Sequence, residues 1–161
     1  MADLLRDVRV VDLTASHGGL AARLFADLGA EVVRVEWSDD DAERARREVD
    51  GVDLGAFVRA VGTTIVAMEP DVDAMRLSQL LTGADVLLVS PSSSVWADPS
   101  TFVADHPHLV VVSNTPLGLD GPCADWAVTE LVAQAMAGFI ARAGVPSLPP
   151  LAAPGRMSED M

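Results

Sequence analysis

Glu130 heads the stretch TELVAQAMAG, residues 129–138, and is the one acid in an otherwise apolar run. A carboxylate there can attack an acyl carbon or take up a proton. It can equally start a helix, with Thr129 or Asp125 as N-cap and the acid favoured in the first turn by the helix dipole. The sequence leaves both jobs open. His17 lies in SHGG, where Gly18 and Gly19 allow a tight turn after an apolar run, and it reads either as a ligand-facing group or as a partly exposed turn histidine. His106 and His108 flank Pro107 with no acid or cysteine at ligand spacing, so they read as surface residues and no metal site is expected. Cys123 follows a glycine loop and reads as a small buried residue rather than a nucleophile.

Composition narrows the chemistry further. The 161 residues, 50% hydrophobic with a mean hydropathy of +0.29, suit one compact globular domain. A formal charge of −13 opposes binding to a phosphate backbone, so nucleic acid is not an expected partner. Every basic residue is Arg, which excludes a lysine Schiff base and a lysine-dependent phosphate loop. The single cysteine rules out an internal disulfide and a thiol-rich metal site and fits a reducing cytoplasm. No signal-like segment and no apolar run of bilayer length is present, so no membrane partner is expected.

The elements that must position these groups alternate. VRVVDL (8–13), EVVRVE (31–36), TTIVAM (63–68), DVLLVS (85–90) and LVVVSN (109–114) read as five strands, near-continuous in apolar character as a buried parallel sheet requires. In GGLAARLFADLGA, Leu20, Leu24 and Leu28 recur at helical spacing before a stop at Gly29. SDDDAERARREVD reads as an exposed helix or loop. DVDAMRLSQLLTGAD places Met75, Leu77, Leu80 and Leu81 on a helix ending near Gly83. PSSSVWADPS reads as a loop, residues 99–108 as a short helix or turn, and TPLGLDGP as a break in regular structure. A last long helix is expected from about Ala127 to Ala143 with its stop at Gly144, followed by the proline-rich tail 145–161. The expected fold is α/β and Rossmann-like: a mostly parallel five-stranded sheet with flanking helices over residues 1–144. Ligands of such sheets favour the carboxyl ends of the strands.

The order strand, HGG, helix, strand, Glu36 imitates a dinucleotide-binding unit. With Gly19 as the last glycine of G-x-G-x-x-G, however, Thr14 and Ser16 occupy the earlier glycine positions and obstruct a pyrophosphate. A nucleotide-binding domain is the weakest of the functional readings.

Taken together, VRVVDLTASHGGLAARLFADLGAEVVRVE (8–36), TGADVLLVS, HPHLVVVSNTPLGLDGPCADW, TELVAQAMAGF and AGVPSLPP resemble the N-terminal part of the family III CoA transferases, the CaiB/BaiF group that includes formyl-CoA transferase and α-methylacyl-CoA racemase. The resemblance implies that Glu130 stands where the family carries an aspartate that forms an acyl anhydride in the transferases or exchanges an α-proton in the racemases. It implies that His17 faces the acyl group and hydrogen-bonds its oxygen, and that Gly18 and Gly19 let the backbone approach the ligand. Gly118 and Gly121, with Pro122, match a recurrent G-x-x-G-P loop.

The implied substrates are acyl-CoA and a small carboxylic acid, with coenzyme A as substrate and no tightly bound cofactor. The implied assembly is a homo-oligomer or a complex with a complementary subunit, because the match is truncated relative to the family. Departures cluster where CoA would be held: Leu20 replaces a proline, Trp37 follows the second strand, SPSSSV stands in place of R-P-G, and in RAVGTTIV only Arg59 survives of an expected cationic segment. Each charge-assisted phosphate contact contributes about 1.5–3 kcal/mol. The alternative is a non-catalytic or remodelled member serving as subunit, scaffold or small-ligand binder.

Overall fold

The computed structural model describes residues 3–14, 19–37, 57–58, 60–69, 72–90, 98–126, 128–145 and 147–153. The readings of SDDDAERARREVD and of most of PSSSVWADPS lie outside these residues. The chain forms two compact units, Met1–Asn114 and Thr115–Met161.

The first unit holds the sheet. Strands β1 (Arg9–Leu13), β2 (Glu31–Trp37), β3 (Thr64–Met68), β4 (Val86–Val89) and β5 (Val110–Ser113) pair in the order β3-β2-β1-β4-β5. Every pairing is parallel. This is the five-stranded α/β sheet expected, and its all-parallel order follows from helical crossovers between β-branched runs. Helix α1 (Gly19–Asp27) links β1 to β2, α2 (Ala74–Thr82) links β3 to β4, and α3 (Pro99–Asp105) precedes β5.

Strand alternation divides the core. Val11, Leu13, Val35, Trp37, Met68 and Leu87 pack with Leu77 and Leu81 of α2, and Phe102 of α3 joins them. On the other face Val10, Val32 and Leu88 pack with Ala22 of α1 and Ala30. The leucine stripe of α1 does not face this core. Leu20, Leu24 and Leu28 are 41%, 55% and 40% exposed, while Gly19 and Ala22 are buried. At 100° per residue, Leu20 and Leu24 sit almost opposite Ala22, and it is the small face that lies against the sheet. In α2 Met75 is likewise exposed, whereas Leu77 and Leu81 are buried.

The second unit corrects the expectation of one long helix over 127–143. Helix α4 spans Glu130–Met136 and is followed by a separate 3₁₀ turn, Ile140–Arg142. The break is a Schellman closure: Gly138 N–H donates to Ala135 O at 3.0 Å, Phe139 N–H donates to Gln134 O at 3.0 Å, and Gly138 takes φ +73°. Helix α1 ends in the same way, with Gly29 N–H to Ala26 O and Ala30 N–H to Phe25 O, both at 3.0 Å, and Gly29 at φ +97°. A Cβ at Gly138 would meet nothing within 4 Å. Gly138→Ala therefore carries only the left-handed backbone penalty, and a loss of about 1–2 kcal/mol is expected in urea unfolding.

Candidate functional site

The carboxyl end of β1 carries a buried polar cluster. Asp12 and Arg34 stand at paired positions of β1 and β2, and alternation turns both toward the face of Val10 and Val32. Asp12 is fully buried and Arg34 is 6% exposed, with Arg34 Nη1 at 3.9 Å from Asp12 Oδ2. Asp12 Oδ1 accepts from the Thr14 backbone N–H at 2.9 Å and from its hydroxyl at 2.6 Å. Thr14 O in turn accepts from the Ser90 hydroxyl at 3.2 Å. Burial raises the Asp12 carboxyl above its ordinary range, and the Arg34 charge and then the two Thr14 hydrogen bonds oppose that rise. Asp12 Oδ2 has no hydrogen-bond partner.

This cluster braces the chain where it leaves β1 for the segment that carries His17. His17, Gly18 and Arg59 lie outside the described residues. Gly19 is buried and opens α1. The cluster itself is detectable in sequence only as a charge flanked by apolar residues in each of two strands, Asp12 in VRVVDL and Arg34 in EVVRVE.

The second unit carries Glu130. Thr129 is the N-cap of α4, and its hydroxyl accepts from Val132 N–H at 3.4 Å, which settles the choice between Thr129 and Asp125. Glu130 is half-buried in the first turn, and its Oε1 accepts from Gln134 Nε2 at 2.6 Å. Gln134 is buried, and its amide also meets Ala153 of the tail: Oε1 accepts from Ala153 N–H at 2.8 Å, and Nε2 donates to Ala153 O at 3.5 Å. The structure thus brings together Glu130, Gln134 and Ala153, of which only Glu130 stands out as reactive in the sequence. The available signal for Gln134 was a lone amide four residues after the acid, on the same helix face.

Gly118 and Gly121 lie in the loop between β5 and α4, at φ +91° and +101°. Cys123, in the same loop, is a free cysteine of intermediate exposure, not the buried residue expected. His106 and His108 stack edge to face with ring centroids 6.1 Å apart. Among the described residues no group of three metal-ligating side chains forms a site, and no helix is long and apolar enough to cross a membrane.

Comparison with known proteins follows the same outline. A family model described as CoA-transferase family III matches residues 5–159. A probable CoA-transferase of Mycobacterium tuberculosis is 31% identical over 148 residues, spanning 84% of this chain and 19% of the relative. The succinyl-CoA:(R)-benzylsuccinate CoA-transferase subunit BbsE of Thauera aromatica is 32% identical over 165 residues, spanning 95% of this chain and 40% of the relative. The crystal structure of a CAIB/BAIF family protein from Brucella suis superposes with a TM-score of 0.76 at 23% identity, covering 93% of this chain and 43% of that one. The chain therefore spans less than half the length of each.

Proposed function

The chain belongs to CoA-transferase family III, and from that membership we propose that it moves acyl groups between coenzyme A and a carboxylic acid through the Glu130 carboxylate. The observation that carries the reading is the placement of Glu130: an acid at the head of α4, half-buried, with one oxygen held at 2.6 Å by a neutral amide. A carboxylate so held has one oxygen oriented by the amide. In the proposed step a Glu130 oxygen bonds to the thioester carbonyl carbon, the C–S bond breaks, and CoA leaves as the thiolate. The mixed anhydride that remains is resolved by a second acid or by the returning thiolate. The family resemblance further assigns His17 to the acyl oxygen, and Gly18, Gly19, Arg59, Gly118 and Gly121 to the CoA moiety, as roles we propose for them.

A second copy of the chain or a complementary subunit completes the assembly. The exposed leucines of α1 favour this partner reading, as does the name of the Thauera aromatica relative, itself a subunit. The setting we assign is the cytoplasm, in keeping with a lone unpaired cysteine.

The test is intact and peptide mass spectrometry after mixing the chain with succinyl-CoA, acetyl-CoA and formyl-CoA in turn. An acyl or CoA adduct mapped to Glu130 is the expected result. A folded chain that forms no adduct with any of the three, alone or with a candidate partner subunit, removes the transferase reading.

A further inference from the structure

Among the described residues of the second unit Gln134 is the most deeply buried polar side chain, and both ends of its amide are used. A buried primary amide is stable only when its oxygen and nitrogen each find a partner, and which end faces which is fixed by the surrounding donors and acceptors. Ala153 makes that choice. Its backbone N–H lies 2.8 Å from Gln134 Oε1 and can be met only by an acceptor. The oxygen end must face Ala153 N–H, so Nε2 is turned to Glu130 Oε1 at 2.6 Å and, more weakly, to Ala153 O at 3.5 Å. The reciprocal pair with Ala153 resembles one rung of a ladder, made by a side chain instead of a strand.

We propose that Gln134 is the positioning residue of Glu130, and that the backbone of the proline-rich tail at Ala153 sets the direction of the Gln134 amide. The inference rests on the reading of Glu130 as the reacting carboxylate. It assigns the tail a part in the site that sequence alone does not suggest, across nineteen residues of chain separating Gln134 from Ala153. Two observations make the tail able to do this. Gly144, at φ +89°, turns the chain after the 3₁₀ segment, and the Leu151 side chain lies 3.5 Å from where a Gly144 Cβ would be, so the returning strand of tail is packed against the turn that reverses it. The Leu148 N–H donates to Val145 O at 3.0 Å, which closes a further turn on the way back.

The amide has a chemical consequence as well as a geometric one. The amide donor restricts the rotation of the Glu130 carboxylate, so one of its oxygens is pinned. A carboxylate at position 134 would instead oppose Glu130 with a like charge at hydrogen-bond distance.

Two measurements on the full chain test the inference. Hydrogen exchange at the Ala153 amide reads the bridge directly, without reference to activity: Gln134→Met, which keeps the length of the side chain and removes both polar ends, should speed that exchange about tenfold or more relative to amides elsewhere in the unit. Single-turnover adduct formation from succinyl-CoA reads the positioning: Gln134→Met and Ala153→Pro should lower the maximal rate roughly 10–100-fold at an unchanged half-saturating concentration, since the acyl-CoA contacts are untouched. Ala153→Pro is the second variant because it removes the N–H that orients the amide and leaves Gln134 itself in place. An Ala153 amide as protected in Gln134→Met as in the parent overturns the inference, and so does an Ala153→Pro variant that reacts at the parent rate. If the parent chain forms no adduct while Gln134→Met exposes Ala153, the bridge is supported and it is the Glu130 reading that fails.

Discussion

Arg34→Met is expected to lower the free energy of unfolding by about 3–5 kcal/mol, read as the shift of a urea transition followed by circular dichroism. The reason is where the charge sits, not how short the contact is. Arg9 Nη2 and Glu31 Oε2 lie at 2.9 Å, closer than the 3.9 Å between Arg34 Nη1 and Asp12 Oδ2, but their side chains are 43% and 55% exposed. A pair that open to water contributes about 0–1 kcal/mol. Asp12 and Arg34 are at most 6% exposed, so losing the guanidinium leaves a carboxyl in the core with one oxygen already lacking a hydrogen bond. Asp12→Leu combined with Arg34→Met should cost less than Arg34→Met alone, because the double variant removes the buried carboxyl together with its guanidinium. A double variant that is less stable than the single would show that Asp12 contributes through Thr14 more than its unpaired burial costs.

The same pair sets a pH dependence of definite sign. Burial raises the Asp12 carboxyl above its ordinary value of 3.8, against the pull of Arg34 and Thr14. Between 3.8 and the raised folded-state value the native chain binds more protons than the unfolded chain, so stability falls as pH rises through that window. Below 3.8 the contribution of this group is complete, and above the folded-state value it has been lost. Asp12→Asn removes the titration, so the stability of the parent chain relative to the Asn variant should decline on going from acid toward neutral pH and then level. A difference that grows with pH would mean that Arg34 outweighs burial.

The sheet could be read from sequence because its strands are short β-branched runs, separated by segments long enough to cross over. What failed was the choice between equivalent signals. In α1 helical periodicity identifies Leu20, Leu24 and Leu28 as one face and Gly19, Ala22 and Ala26 as another, but it does not say which lies against the sheet. Size alone favours the leucines; packing uses the small residues, which let the helix approach. After Glu130 two glycines could end the helix, and an uninterrupted apolar run favoured Gly144. The Schellman bonds from Gly138 and Phe139 close it six residues earlier. Asp12 and Arg34 were visible as charges in apolar strands, yet their pairing is a matter of register between β1 and β2 that no local pattern encodes. The contact from Ala153 to Gln134 is long-range in the same sense, and a proline-rich tail carries no periodicity from which to infer it.

Glu130→Gln is expected to reduce adduct formation by on the order of 10⁴-fold or more, the scale on which loss of a covalent nucleophile is felt. The substitution is nearly isosteric, and a Gln oxygen can still accept from Gln134 Nε2, so α4 and its Thr129 cap should keep their geometry. Glu130→Asp is the more informative partner. It retains the charge and withdraws it by one methylene, on the order of 1.5 Å, and a displacement of that size costs about 10²-fold when attack geometry is set by a fixed frame. The frame here is Gln134, whose amide is spaced for a glutamate four residues earlier and is itself held by Ala153. The expected order of rates is therefore Glu, then Asp, then Gln, measured as single-turnover labelling by succinyl-CoA with hydroxylamine release of the adduct. Equal labelling of the Gln variant and the parent would place the reacting group elsewhere. An Asp variant faster than the parent would mean that the position is nucleophilic but that Gln134 holds the longer side chain out of line, reversing the role assigned to that contact.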